Sequence, residues 1–248
     1  MPISKVNPSF RGSVMKQVKW RSALDLLVTA LMLVLIVGMG WRLFGTQPPE
    51  PIPPTAKMQI PDAPVSLEGA HLRGSPSAPV AVVVYTDYEC PACRMFENET
   101  LPTIVREYVD TGQVLLAFRP FPLGRRGAEG IHEAGLAQCA GDQGQFWKAH
   151  DALFVNAGAS MEAKNAAVGI AIAADPIALA KCASDARADV VNRSEQDRKL
   201  GVVATPTFLI GEIDKARSVV VRVVHQGVSQ GSDWFKELLQ PVVVGAAR

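Results

Sequence analysis

Val82-Val83-Val84-Tyr85-Thr86-Asp87-Tyr88-Glu89-Cys90-Pro91-Ala92-Cys93-Arg94-Met95-Phe96 is the stretch whose reading decides the fold. An apolar, β-type run hands over to a Cys-x-x-Cys pair and then to residues that suit a helix. The first cysteine therefore falls where a strand gives way to a helix N-terminus. Unpaired backbone N–H groups and the positive end of the helix dipole favour a thiolate at that place. Pro91 fits the first helical turn, where its missing N–H is not needed. Cys93, one turn later, is within reach of Cys90 for a disulfide. The placement points to thiol–disulfide chemistry.

Working outward, Val80 to Thr86 reads as a strand covered on both faces, preceded by the turn cluster Gly74-Ser75-Pro76-Ser77-Ala78-Pro79. After the cysteines the pattern predicts a helix to Asp110, with Leu101, Ile104, Val105 and Tyr108 on one buried face. Pro102 should kink or split that helix, and Gly112 should end it. Val114 to Phe121 is a second apolar strand, and strand–helix–strand with this connection makes a parallel βαβ unit. From about Arg126 to Leu200 the composition turns helical and alanine-rich, with breaks at Asn156-Ala157-Gly158 and Ala174-Asp175-Pro176. Val203 to Ile210, interrupted by Pro206, and Arg217 to His225 return to β character. Ser232 is placed to cap a last helix that Pro241 should end. The order is β-α-β, a helical block, then β-β-α, without internal repeats.

The N-terminal part has a different character. Leu26 to Phe44 is almost wholly apolar, close to the roughly 20 residues a helix needs to span a bilayer. Lys5, Arg11, Lys16, Lys19 and Arg21 precede it against Asp25 alone, which predicts a cytoplasmic N-terminus and export of the chain beyond Phe44. A cleaved signal peptide would have a shorter apolar core, about 7–15 residues, and a small-x-small site. Gly38-Met39-Gly40 suits that site poorly, so a retained anchor is expected. Thr46 to Pro64 carries seven prolines and reads as an extended spacer. The expected organisation is a cytoplasmic segment over 1–22, a transmembrane anchor over 23–44, a linker over 45–64 and a globular domain over 65–248, with the helical block at about 126–200. This places the domain on the periplasmic side of the inner membrane.

With 25 Lys and Arg against 24 Asp and Glu, charge gives no reason to expect nucleic acid as a partner. The four cysteines, Cys90, Cys93, Cys139 and Cys182, form an even set, for which disulfides are the default in an exported protein. Zinc needs four ligands, whereas Cys139 and Cys182 are far apart and His71, His132, His150 and His225 are scattered. No metal and no cofactor are expected. A bridge between Cys90 and Cys93 closes too short a loop to constrain the unfolded chain much, so a purely structural role explains little.

Tyr85-Thr86-Asp87-Tyr88-Glu89-Cys90-Pro91-Ala92-Cys93, followed far downstream by Val203-Ala204-Thr205-Pro206-Thr207-Phe208, resembles the thioredoxin superfamily. The helical block between the two halves resembles its DsbA-like branch, and Arg119-Pro120-Phe121-Pro122-Leu123 and Gly144-Gln145-Phe146-Trp147 to Phe154 extend the match over roughly 65–244. The resemblance implies an α/β, thioredoxin-like fold with a helical insertion, here preceded by one transmembrane helix. It implies Cys90 and Cys93 as the catalytic pair, Cys90 being the more exposed and more acidic. It also implies a cis bond before Pro206, with Thr205 and Pro206 lining the substrate site. Some members of the branch carry a second cysteine pair in the block, so Cys139 and Cys182 are candidates for a structural disulfide, with two buried free thiols as the alternative.

Pro91 and Ala92 are expected to tune the couple. Many oxidising members carry histidine at the position of Ala92, and alanine supplies the thiolate with neither donor nor charge, so a milder oxidant is expected. Glu89 is expected to point outward into solvent; close and ionised, it would raise the thiol pKa. His132 and His150 are expected to be packing or surface residues. The resulting expectation is disulfide introduction into exported, cysteine-containing clients, with a DsbB-like membrane redox partner. The alternatives are a reductase or isomerase kept reduced by a membrane electron donor, and a peptide-binding chaperone or assembly factor with incidental cysteines.

Overall fold

The computed structural model describes residues 25–36, 58–124 and 128–246. The chain divides into two compact units, Met1–Ile52 and Pro53–Arg248. In the first, helix α1 spans Asp25–Ile36, and its leucines, valines and isoleucine are exposed all round, Leu26 by 71% and Ile36 by 64%. No single described helix is long and apolar enough to cross a membrane. The anchor expected over 23–44 runs past the described residues at both ends, and 1–22 and most of the 45–64 linker lie outside them.

In the second unit, β1 (Val65–Ser66), β2 (His71–Arg73), β3 (Val80–Thr86), β4 (Val114–Pro120), β5 (Thr207–Ile213) and β6 (Ser218–Gln226) form one sheet in the order β1-β6-β5-β3-β4-β2. β3 and β4 are parallel, Val80 facing Val114, as their helical crossover requires. The other pairings are antiparallel. All seven β3 residues are buried because β3 lies mid-sheet with both faces covered. Alternation sends Val80, Val82 and Val84 into the core beneath the cysteine helix and the helical block, and Ala81, Val83 and Tyr85 into a second core with Leu115, Phe121 and Val202. The short strands β1 and β2 have too few residues to show periodicity and carry no signal of their own in the sequence.

The helical run after Cys90 is α2 (Pro91–Met95), a π-helical turn at Phe96–Thr100, α3 (Leu101–Ile104) and a second π turn at Val105–Val109. Pro102 therefore does not split it. A proline ring clashes with the carbonyl four residues back in a regular helix, and the widened turn just before Pro102 makes room for it. Gly112, at φ +76°, takes the left-handed conformation that ends the run.

The helical block comprises α4 (Ala128–Gly141), α5 (Phe146–Val155), α6 (Met161–Ile172), α7 (Pro176–Asp185) and α8 (Arg187–Lys199). Ser160 caps α6 by accepting from the Ala163 N–H, and Asp175 caps α7 by accepting from Ile177 and Ala178, with Pro176 in the first turn. Cys139 on α4 is bonded to Cys182 on α7. Beside that bridge the two helices touch so closely that a Cβ on Gly135 would lie 2.6 Å from the Ala183 carbonyl oxygen.

Helix α9 (Asp233–Ala246) continues through Pro241, contrary to the expected stop. Phe235, Leu239, Val242 and Val243 lie on one buried face. Proline removes one N–H bond, whereas each buried valine contributes about 1.5–3 kcal/mol, so packing carries the helix past it.

Candidate functional site

The register of the sheet creates the site. Tyr85, near the end of β3, faces Thr207 at the start of β5, so the segment before Thr207 comes alongside the segment after Thr86. Thr205 and Pro206, joined by a cis peptide, thereby meet the cysteines.

Asp87 shapes the approach to Cys90. Its Oδ1 accepts from the Glu89 N–H at 3.0 Å, its Oδ2 from the Leu123 N–H at 2.9 Å, and its carbonyl from the Cys90 N–H at 3.0 Å. Cys90 then occupies the N-cap of α2 with extended backbone, φ −87° and ψ 118°, and its carbonyl accepts the first intrahelical bond, from Arg94 at 3.1 Å. No acidic side chain lies in that first turn to oppose a thiolate. The Cys90 sulfur lies 3.3 Å from the Thr205 carbonyl oxygen, to which the thiol donates when Cys90 is protonated.

Both cysteines are free thiols here, Cys90 5% exposed and Cys93 fully buried. Their acidities separate. A hydrogen bond from the Cys93 thiol holds the Cys90 pKa down at about 5 against the opposing effect of burial, helped by Thr205 and by the backbone N–H groups of Cys93 and Ala92. Burial pushes Cys93 well above the usual thiol value, and the neighbouring Cys90 charge adds to this. The pair thus holds one proton and one negative charge at neutral pH, on separate sulfurs. Pro91 is exposed, and Ala92 is half-buried against the core.

The two residues before Cys90 are tied into the helical block by buried polar side chains. The Tyr88 hydroxyl lies 3.3 Å from His150 Nδ1, and His150 Nε2 lies 3.1 Å from Glu97 Oε2. His150 packs among Tyr88, Phe118, Phe146, Trp147 and Phe154, in keeping with its expected packing role. Glu89 does not point into solvent. Its carboxylate accepts from the Lys164 ammonium, which also donates to Glu133, and all three side chains are 5% exposed or less. Sequence reasoning missed Asp87, Glu97, Glu133 and Lys164. Only Asp87 carries a local signal, an Asx-type turn residue just ahead of a helix start. Among the described residues no group of three or more His, Cys, Asp or Glu converges as a metal site would require.

A strand, a capped Cys-Pro-Ala-Cys turn and a cis-proline loop brought together by one sheet match a known family model, described as thioredoxin, over residues 66–219. The chain belongs to the thioredoxin family. It is similar to the probable disulfide bond formation protein D of Bacillus cereus, at 37% identity over 83 residues, 34% of this chain and 38% of that protein. It is also similar to the Na(+)/H(+) antiporter NhaA 1 of Mycolicibacterium gilvum, at 32% identity over 127 residues, 50% of this chain but 19% of that one. The chain thus spans about two fifths or less of the length of these curated relatives. The crystal structure of Wolbachia pipientis alpha-DsbA1 superposes with a TM-score of 0.65 at 25% identity, covering 74% of this chain and 95% of that one. The helical insertion in this thioredoxin-family chain is therefore a DsbA-like feature.

Proposed function

We propose that this protein is a thiol:disulfide oxidoreductase that introduces disulfides into exported proteins, with Cys90 as the exchanging cysteine and Cys93 as its internal partner. The placement of Cys90 at the N-cap of α2, with Cys93 one turn on and the cis Thr205–Pro206 loop against the sulfur, carries the reading, and the separation of the two thiol acidities supports it. In the oxidised enzyme a client thiolate attacks the Cys90 sulfur, and the Cys90–Cys93 bond breaks as Cys93 leaves with the electron pair and takes a proton. A second client thiolate attacks the client sulfur of the mixed disulfide, and Cys90 leaves as a thiolate. The client loses two electrons and gains a disulfide, and the enzyme gains the two electrons. A thiol with a pKa of about 5 is a good leaving group, and its stability as a thiolate favours the reduced enzyme and hence oxidation of the client.

Thr205 and Pro206, placed beside Cys90, are assigned to client binding, since an extended segment can pair with exposed backbone there. Pro91 and Ala92 are assigned to redox tuning, and the Cys139–Cys182 bridge to stabilising the insertion. The apolar, exposed helix α1 and the basic residues preceding it support a transmembrane anchor over 23–44 with a cytoplasmic N-terminus, a linker over 45–64, and a catalytic domain over 65–248 on the periplasmic side. Repeated turnover then requires a membrane partner, DsbB-like, to take the two electrons.

Equilibration of the Cys90/Cys93 pair with glutathione tests the direction. A thiol pKa of about 5 falls between those of thioredoxin, about 7, and DsbA, about 3.5. The potential should accordingly fall between about −270 mV and about −120 mV. A value at or below the lower bound overturns the oxidase reading in favour of a reductase.

A further inference from the structure

Glu89 and Cys90 are consecutive residues, so an acidic side chain branches from the backbone one position before the sulfur that is to ionise. An ionised carboxylate beside a thiolate disfavours it. The molecule resolves the conflict with residues far away in the chain. Lys164, in the first turn of α6, reaches Glu89 with its ammonium, and the same ammonium contacts Glu133 on α4. Lys164 is 1% exposed, and burying its long charged side chain is costly unless it is paired.

We propose that Lys164 is a positioning residue for thiol–disulfide exchange: it holds the Glu89 side chain within the helical insertion and cancels its charge, so that Cys90 ionises unopposed at the helix N-cap. The backbone supports this division, since the Glu89 N–H is already fixed by Asp87 Oδ1. The side chain and the main chain of one residue are thus anchored separately, one to the insertion and one to the cysteine turn.

Glu133 completes the cluster. Two carboxylates and one ammonium leave one negative charge if all are ionised, and a single proton makes the group neutral. Burial pushes Glu133 up to about 8, while Lys164 opposes that rise and Glu89 adds to it. Its Oε1 accepts from Lys164, and its Oε2 has no hydrogen-bond partner among the described residues. The neighbouring buried groups are Tyr88, His150 and Glu97, which form their own hydrogen-bonded chain. The sulfur itself faces Cys93 and Thr205. The inference rests on exchange at Cys90 and not on its direction: the parent's potential and turnover test the proposed function, whereas comparison among variants tests Lys164.

The experiment is thiolate titration of Cys90, by absorbance and by alkylation rate, in the full chain and three variants. Lys164→Met takes the ammonium away from Glu89 and should raise the titration midpoint by about one pH unit, a tenfold fall in thiolate fraction on the acidic side. Glu89→Gln/Lys164→Met removes the Glu89 charge as well and should return the midpoint to the parent value. Glu89→Gln alone keeps Lys164 paired to Glu133 and should titrate at or below the parent; it remains informative where Lys164→Met does not fold. An unmoved midpoint in Lys164→Met, a persistent rise in the double variant, or a rise in Glu89→Gln overturns the proposal.

Discussion

The Cys90 sulfur sits 3.3 Å from the carbonyl oxygen of Thr205, a residue 115 positions later in the chain. The contact exists because β3 and β5 are neighbours in the sheet, with Tyr85 opposite Thr207. It gives the cysteine pair a defined wall of backbone on one side and leaves the helix N-terminus on the other. The separation of thiol acidities comes from the hydrogen bond of the Cys93 thiol to Cys90 and from the burial of Cys93.

Alkylation of the reduced protein should therefore be site-selective. Cys90 should react with a midpoint near pH 5, and Cys93 should stay unmodified through neutral pH, because burial keeps it protonated. Mass mapping after a short iodoacetamide pulse at pH 6 checks both. Equal labelling of the two sites would contradict the assignment.

The same shift sets a pH dependence of stability. Cys90 is lowered from 9.0 to about 5 in the folded, reduced protein, so its contribution is fully present above pH 9 and is lost as pH falls through 5. The oxidised protein has no such titration. The unfolding free energy of the reduced form relative to the oxidised form should rise between pH 5 and pH 9 by up to about 1.4 kcal/mol per pH unit, and its relative melting temperature should rise with it. Paired calorimetric scans at pH 5, 7 and 8.5 measure it, and a gap that narrows with rising pH would show the opposite sign.

Replacing Cys139 and Cys182 together by serine should cost about 4 kcal/mol, the chain-entropy value for a bridge between residues 43 apart, while leaving the potential of Cys90/Cys93 unchanged. Gly135→Ala probes the same junction from another side. Its Cβ would press on the Ala183 carbonyl, and overpacking of that kind costs about 1–3 kcal/mol. Urea melts of both variants read the losses directly.

Much of this is legible in the sequence because it is encoded locally. The β3 run, the Cys90–Cys93 turn with its proline, the parallel β4 and the breaks around Gly158 and Asp175 all come from short-range pattern and cap chemistry. What escapes depends on distance. Glu89 looks like a surface residue until Lys164 is brought to it across 75 positions, and Glu133 is hidden in an alanine-rich helix that shows no polar face. Pro102 and Pro241 are breakers by rule, but a widened turn accommodates one and core packing carries the helix past the other.

Substitution at Ala92 tests the proposed tuning of the couple. It lies in the first turn of α2, between the two cysteines, and its backbone N–H is among the groups that lower the Cys90 pKa, while its methyl group adds nothing. Histidine there would add a donor, and a charge when protonated, close to the thiolate but not to the disulfide. Stabilising only the reduced state raises the potential, since each tenfold gain in the equilibrium constant is about 30 mV for a two-electron couple. Ala92→His should make the protein a stronger oxidant by about 30–60 mV and lower the Cys90 midpoint in step. Both quantities come from one glutathione series and one thiolate titration. A shift in potential without a matching shift in the midpoint would mean that residue 92 acts on the disulfide instead of the thiolate.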